Sequence, residues 1–136
     1  MKNKISLKEG IKFHGHLGPY LVLGILAGDL ALKKLRARKY FDLIVKAWGA
    51  TKKPKSCLID GLQLSTGATF GKGNIQKRES AKVKILFRNL LNNKKINISL
   101  KENLIEKLNA LKGHHDSEVY ARILYKTNPL NLFDLT

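Results

Sequence analysis

From Leu17 to Leu32 the chain is apolar almost without a break, and Leu21, Leu23, Ile25, Leu26, Leu30 and Leu32 fall on every side of a helical projection. A helix that is apolar all round is a buried helix. Pro19 stands where a helix tolerates proline, in its first turn, so the element is predicted from Pro19 to about Leu35. Gly24 and Gly28, one turn apart, remove side chains from one face and let a neighbouring backbone approach, which plain close packing explains as well as function does. With Gly24, Gly28 and Asp29 inside it, the stretch falls short of the roughly 20 apolar residues that span a bilayer, so no membrane segment is expected. Upstream, Ser6-Leu7-Lys8-Glu9 has the form of a capping box, and a short helix should follow and end near Gly15.

Beyond residue 40 the period changes. Phe41 to Trp48 alternates as a strand, with Phe41, Leu43, Val45 and Ala47 on one face. Thr51 to Lys55 reads as a loop. Cys57 to Gly67 reads as a helix ended by glycine, and the glycine-rich stretch Gly67 to Asn74 follows it. Lys82–Phe87 and Ile96–Ile98 are predicted strands. Ser99 with Glu102 forms a second capping box, and Leu100, Leu104, Leu108 and Leu111 mark a helix closed by Gly113. His114-His115 then reads as a solvated linker before a last helix from Ser117 to about Tyr125. Helices and strands mix without a strict βαβα rhythm, which predicts an α+β fold with a small, mainly antiparallel or mixed sheet packed with helices. At 136 residues and 43% apolar content, the chain should form one core and one domain, 1–136.

Charge adds a partner to this picture. Of the net +16, residues 33–55 contribute +8 and residues 72–95 contribute +7. So regional an excess favours an anionic partner, which could be a polyanionic coenzyme, an acidic protein subunit or nucleic acid. A solvated face, or a bias toward Lys, Asn and Ile, gives the same count. Tyr40, Phe41 and Trp48 do not form a recognisable RNA-binding motif, so nucleic acid ranks last. Met1 to Lys12 offers no apolar signal core, and a cytoplasmic location is expected. A single cysteine, Cys57, excludes an internal disulfide and a multi-thiolate zinc knuckle.

Candidate chemistry centres on that cysteine. His14-Gly15-His16 with Cys57 supplies two imidazoles and a thiol, the donor set of an open zinc site with a fourth position for water or substrate. Gly15 permits unusual dihedrals that let both rings turn toward one point. His-x-His also recurs by chance, and a lone cysteine is ordinarily a small buried hydrophobe. At a helix start, with Lys53 and Lys55 nearby, the Cys57 thiol is expected to have a depressed pKa. Asp60 shares its helix face, and a carboxylate in an apolar helix needs a partner. The glycine-rich stretch suggests a phosphate loop, but it is one residue short and Gly73 stands where Ser or Thr must bind magnesium. What remains is a flexible turn that would offer N–H groups and Lys72 to an anion.

Two blocks, FHGHLGPYLVLG (Phe13 to Gly24) and CLIDGLQLSTGATFGKGNI (Cys57 to Ile75), together resemble the FmdE family of formylmethanofuran dehydrogenase subunits. The resemblance implies an α+β core, a homodimer, and a cleft where the His-x-His meets the later cysteine around a transition metal, with zinc the expected ion. It implicates His14, His16 and Cys57 as metal ligands and Cys57, His16 and Asp60 as catalytic residues. Gln63, Thr69, Lys72 and Asn74 become contacts for an anionic one-carbon-type coenzyme. It also implies membership of a larger enzyme complex, either as a metal-dependent enzyme or as a non-catalytic subunit whose basic face docks an acidic partner. Many relatives have a cysteine just before the proline of the first block, where this chain has Gly18-Pro19. Many also append a cysteine-rich zinc finger, whereas the helices from Ser99 to Tyr125 contain no cysteine, which leaves any metal to the core site.

Overall fold

The computed structural model describes residues 4–136. Its helices are α1 (Leu7–His14), α2 (Pro19–Lys34), α3 (Cys57–Thr66), α4 (Glu102–Ala110) and α5 (Gly113–Tyr125). Its strands are β1 (Leu43–Trp48), β2 (Ile75–Arg78), β3 (Lys84–Asn89), β4 (Lys95–Leu100) and β5 (Phe133–Leu135), with a short 3-10 turn at Pro129–Asn131. The strands form one mixed sheet in the order β2-β1-β3-β4-β5. Among the described residues only the β1–β2 pair is parallel, with Val45 opposite Ile75. The other pairs are antiparallel. The fold is therefore a single α+β domain.

Helix α2 is the centre of the core. Twelve of its sixteen residues are buried, and one apolar cluster joins Val22, Leu23 and Leu26 to Val45, Ile85, Phe87 and Ile98 of the sheet. Against α2 lies α3, in contact so close that side chains are excluded. A Cβ on Gly24 would stand 2.9 Å from the Gly61 Cα and nearer still to the Leu58 carbonyl oxygen. Ser65 Oγ bridges the two helices by donating to the carbonyls of Gly61 (2.8 Å) and Gly24 (3.1 Å). Both halves of the Ser6–Glu9 capping box are present at the start of α1.

Several boundaries differ from the sequence expectation, each for a local reason. Phe41 is 72% exposed and lies outside β1. Tyr40 adopts φ +88, and the Arg38 N–H donates to the buried Asp42 carboxylate at 2.8 Å, so a turn occupies residues 38–42 before the strand can begin. The Ser99–Glu102 capping box does not form, because Ser99 is part of β4, paired with Lys84 and Asp134. Lys101 precedes α4 instead, with no side-chain cap. Gly113 does not close α4, which ends at Ala110, but opens α5. His114 and His115 are thus in the first turn of α5, where Asp116 accepts from the Lys112 N–H at 3.3 Å, and do not form a linker. β2 and β5 were not foreseen. Both are edge strands of three or four residues, too short for alternation to show.

Candidate metal centre

Three elements converge on one point. Helix α1 ends at His14, and Gly15 takes the left-handed conformation at φ 103 while its N–H donates to the Ile11 carbonyl at 2.7 Å. The chain then turns through 120° into α2, leaving His14 and His16 at the corner. Helix α3 presents its first residue, Cys57, to that corner. The ligand atoms of His14, His16 and Cys57 all lie within 4.8 Å of one another. Bond lengths of 2.0–2.3 Å at a tetrahedral zinc place donors about 3.5 Å apart, so a modest contraction would close the group. His16 is the exposed member and the one free to swing inward.

Asp60, one turn after Cys57, completes the arrangement. Its carboxylate lies 2.6 Å from His14 Nδ1. An ionised carboxylate only accepts, so Nδ1 carries a proton, and in the neutral imidazole Nε2 keeps its lone pair. The His14 side chain is 10% exposed, and Nε2 is buried without a hydrogen-bond partner. A buried acceptor left unpaired costs on the order of 1–3 kcal/mol. A metal ion is what would satisfy it here, because a carboxylate on one ring nitrogen with the other nitrogen free is how ligand histidines are held. The residues present therefore fit a metal.

Electrostatics corrects one expectation. Burial and then Asp60 push the Cys57 thiol upward, outweighing Lys53 and the backbone N–H that act in the opposite sense. The helix start does not make a thiolate in the metal-free protein. Burial, His14, His114 and Lys53 likewise hold His16 below the ordinary histidine range, which favours the neutral, ligating imidazole. With the thiol raised, less thiolate is present at neutral pH than on a free cysteine. Iodoacetamide should therefore alkylate Cys57 in metal-free protein more slowly than it alkylates glutathione at pH 7, the two rates converging only above the ordinary thiol range. Faster labelling than glutathione at pH 7 would restore the depressed thiol.

The other expected site residues are elsewhere. Cys57 and the Gly67–Asn74 loop sit at opposite ends of α3, roughly 15 Å apart at 1.5 Å per residue. In that loop Thr69 N–H donates to Asn74 Oδ1 (2.8 Å), Phe70 N–H to Gln63 Oε1 (3.3 Å) and Lys72 N–H to Thr69 Oγ1 (3.1 Å). Asn74 Nδ2 donates to the Tyr40 carbonyl, and Lys72 Nζ to the Gly67 carbonyl. These N–H groups brace the loop and are not presented to an anion. Sequence reading missed the wall beside the donors: Tyr20, Leu108, Leu111, His114 and Ser117 line a hollow with His16 and Cys57. Its one signal was the fit of Leu104, Leu108 and Leu111 to a single helical stripe, which read as core alone.

A small α+β domain with a His-x-His corner set against the cysteine-bearing start of a glycine-packed helix is the class that fold and site define. The chain belongs to the FmdE family, whose model, described as "FmdE, Molybdenum formylmethanofuran dehydrogenase operon", matches residues 13–128. The fold is similar to that of a tungsten formylmethanofuran dehydrogenase FmdE-like protein from Syntrophus aciditrophicus, with TM-score 0.66 and 23% identity over 94% of this chain and 67% of that one. A probable S-adenosyl-L-methionine-binding protein from Archaeoglobus fulgidus is 31% identical over 67 residues, 47% of this chain. The match spans 18% of that relative's length.

Proposed function

We propose that this FmdE-family domain is a metal-binding protein acting on a small-molecule substrate, with zinc held by His14, His16 and Cys57 and with Asp60 orienting His14. The observations that carry this reading are the buried, unpartnered Nε2 of His14 and the grouping of one ligand atom from each of His14, His16 and Cys57 within 4.8 Å. Two nitrogens and a sulfur suit zinc better than magnesium or calcium, which prefer oxygen. A zinc ion there would supply Lewis acidity, polarising a carbonyl or activating water. The chain's own part is to fix the His14 tautomer through Asp60 and to hold Cys57 at the end of a rigid helix.

In this reading the substrate is an anionic one-carbon-type coenzyme, the protein works in the cytoplasm, and it acts as a homodimer or within a larger oxidoreductase complex. Gln63, Thr69, Lys72 and Asn74 enter as braces of the loop; their distance leaves them contact only with the far end of a long coenzyme. A second reading, docking of an acidic partner through the basic face, is favoured by the exposed aromatics Phe41 and Phe70, which lie under Lys72 and Lys77. Elemental analysis of protein purified without added metal tests the first reading. Close to one zinc per chain is expected. Metal-free protein that also fails to take up added zinc would leave only the docking reading.

A further inference from the structure

Beside the three donors is a cavity of about 350 Å³ whose wall includes His16 and Cys57. The first turn of α2 contributes Pro19 and Tyr20, α4 contributes Leu108, the position directly after α4 contributes Leu111, and α5 contributes His114 and Ser117. The size is within the range of small-molecule sites, about 300–1,000 Å³. Among the described residues no lysine, arginine, aspartate or glutamate lines it, in a chain of net charge +16. A larger hollow of about 740 Å³ lies between α1, the end of α2 and residues 37–40, away from the donors. Two of its cations are already matched, Lys33 by Asp29 and Arg38 by Asp42.

We propose that the cavity between α2, α4 and α5 receives the uncharged, largely apolar end of a small molecule that offers one donor atom toward His16 and Cys57, any anionic portion remaining outside. This deepens the metal reading above and rests on it for the role of the donor atom. The wall decides the class of ligand. Leucine and proline surfaces stabilise an apolar body by removing it from water. An anion placed among them would lose its hydration with no lysine or arginine in the wall to replace it. The Tyr20 and Ser117 hydroxyls and the His114 ring are able to orient one or two polar atoms. Lys53, which precedes the lining residue Pro54 and is close enough to influence both His16 and Cys57, supplies a cation beside the cavity that is not part of its wall. A ligand with an apolar reactive end and an anionic tail satisfies both regions.

The test uses cobalt in place of zinc and follows its visible absorption. Phenylimidazole should perturb the cobalt spectrum and bind at least about tenfold more tightly than imidazole, because its ring is buried by the wall. Inorganic phosphate should bind more weakly than either. Leu111→Trp and Ser117→Trp, which fill the cavity from partly exposed positions, should abolish that tenfold preference while leaving the cobalt spectrum of the ligand-free protein intact. Equal affinity for the two imidazoles, tighter binding of phosphate, or an unchanged preference in both variants would overturn the inference. If cobalt does not bind, it is the metal reading that fails. The cavity is then judged on metal-free protein by saturation-transfer NMR, where phenylimidazole must show contact that Leu111→Trp removes; no contact in the unsubstituted protein rejects the cavity as well.

Discussion

His14→Ala is expected to lower zinc affinity by at least about 100-fold, and Asp60→Asn, which removes no ligand, by about 10- to 100-fold. The first estimate follows from taking away the only donor that is both buried and pre-oriented. The second follows from the 2.6 Å contact between Asp60 and His14 Nδ1. An asparagine oxygen can still accept from Nδ1, so the ring stays in place. What is lost is the negative charge that raises the basicity of Nε2 and offsets the charge of a bound cation. Cys57→Ser should also strip most of the metal with the fold intact, since a hydroxyl is a poor ligand but nearly isosteric. If His14 and Cys57 only pack, the same variants give a different pattern. The unsubstituted protein would then hold no metal, and placing a hydroxyl at position 57 would cost about 1 kcal/mol in stability. Competition for zinc against a chromophoric chelator, run beside thermal melting, separates the two cases. Unchanged affinity in Asp60→Asn would remove the carboxylate from the site even if the three ligands stand.

The donors were legible in the sequence because each sits beside a strong local signal. His14 and His16 flank a glycine that ends one helix and precede a proline that begins the next, and Cys57 opens a helix closed by Gly67. What the sequence misjudged was competition between neighbours. The pattern at Ser99 and Glu102 matches a capping box, but Ser99 is already held by strand pairing, and cross-strand contacts outweigh a local cap. Phe41 continues the alternation of β1, yet the Asp42 carboxylate and Tyr40 commit the preceding residues to a turn. The Cys57 thiol shows the same thing in electrostatics. A helix start lowers a thiol pKa only when the sulfur is solvated and no anion is near, and here the carboxylate that positions His14 also opposes ionisation of the cysteine. The α5 start at Gly113, which brings His114 to the cavity, depends on Asp116 accepting from the backbone before it, a contact that a reading of His114-His115 as a polar pair does not suggest.

Gly61→Ala and Gly24→Ala are each expected to destabilise the fold by about 3 kcal/mol, the upper end of overpacking costs, and to lower the melting temperature by about 10 °C in a domain of this size. Propensity alone predicts the reverse sign, since alanine in a helix interior is favoured over glycine by about 1 kcal/mol. Packing decides the outcome. A Cβ on Gly61 would lie 2.8 Å from the Gly24 Cα and from the Ile25 nitrogen, and nearer still to the Leu21 carbonyl oxygen. Those atoms belong to a buried helix backbone, which has no rotamer by which to move aside. Gly10→Ala is the control: its Cβ would meet only the flexible ends of Ile25 and Leu21, at 3.3 and 3.5 Å, so little change is expected there. The effect should extend to the metal, because the α2–α3 crossing sets how far Cys57 stands from the α1–α2 corner. An alanine that forces the helices apart moves the sulfur away from His14 without altering any ligand. Zinc affinity in Gly61→Ala, measured well below its melting temperature, should therefore fall with stability. If both glycine variants melt at or above the temperature of the unsubstituted protein, the close crossing of α2 and α3 is wrong, and with it the account of how Cys57 is held against the two histidines.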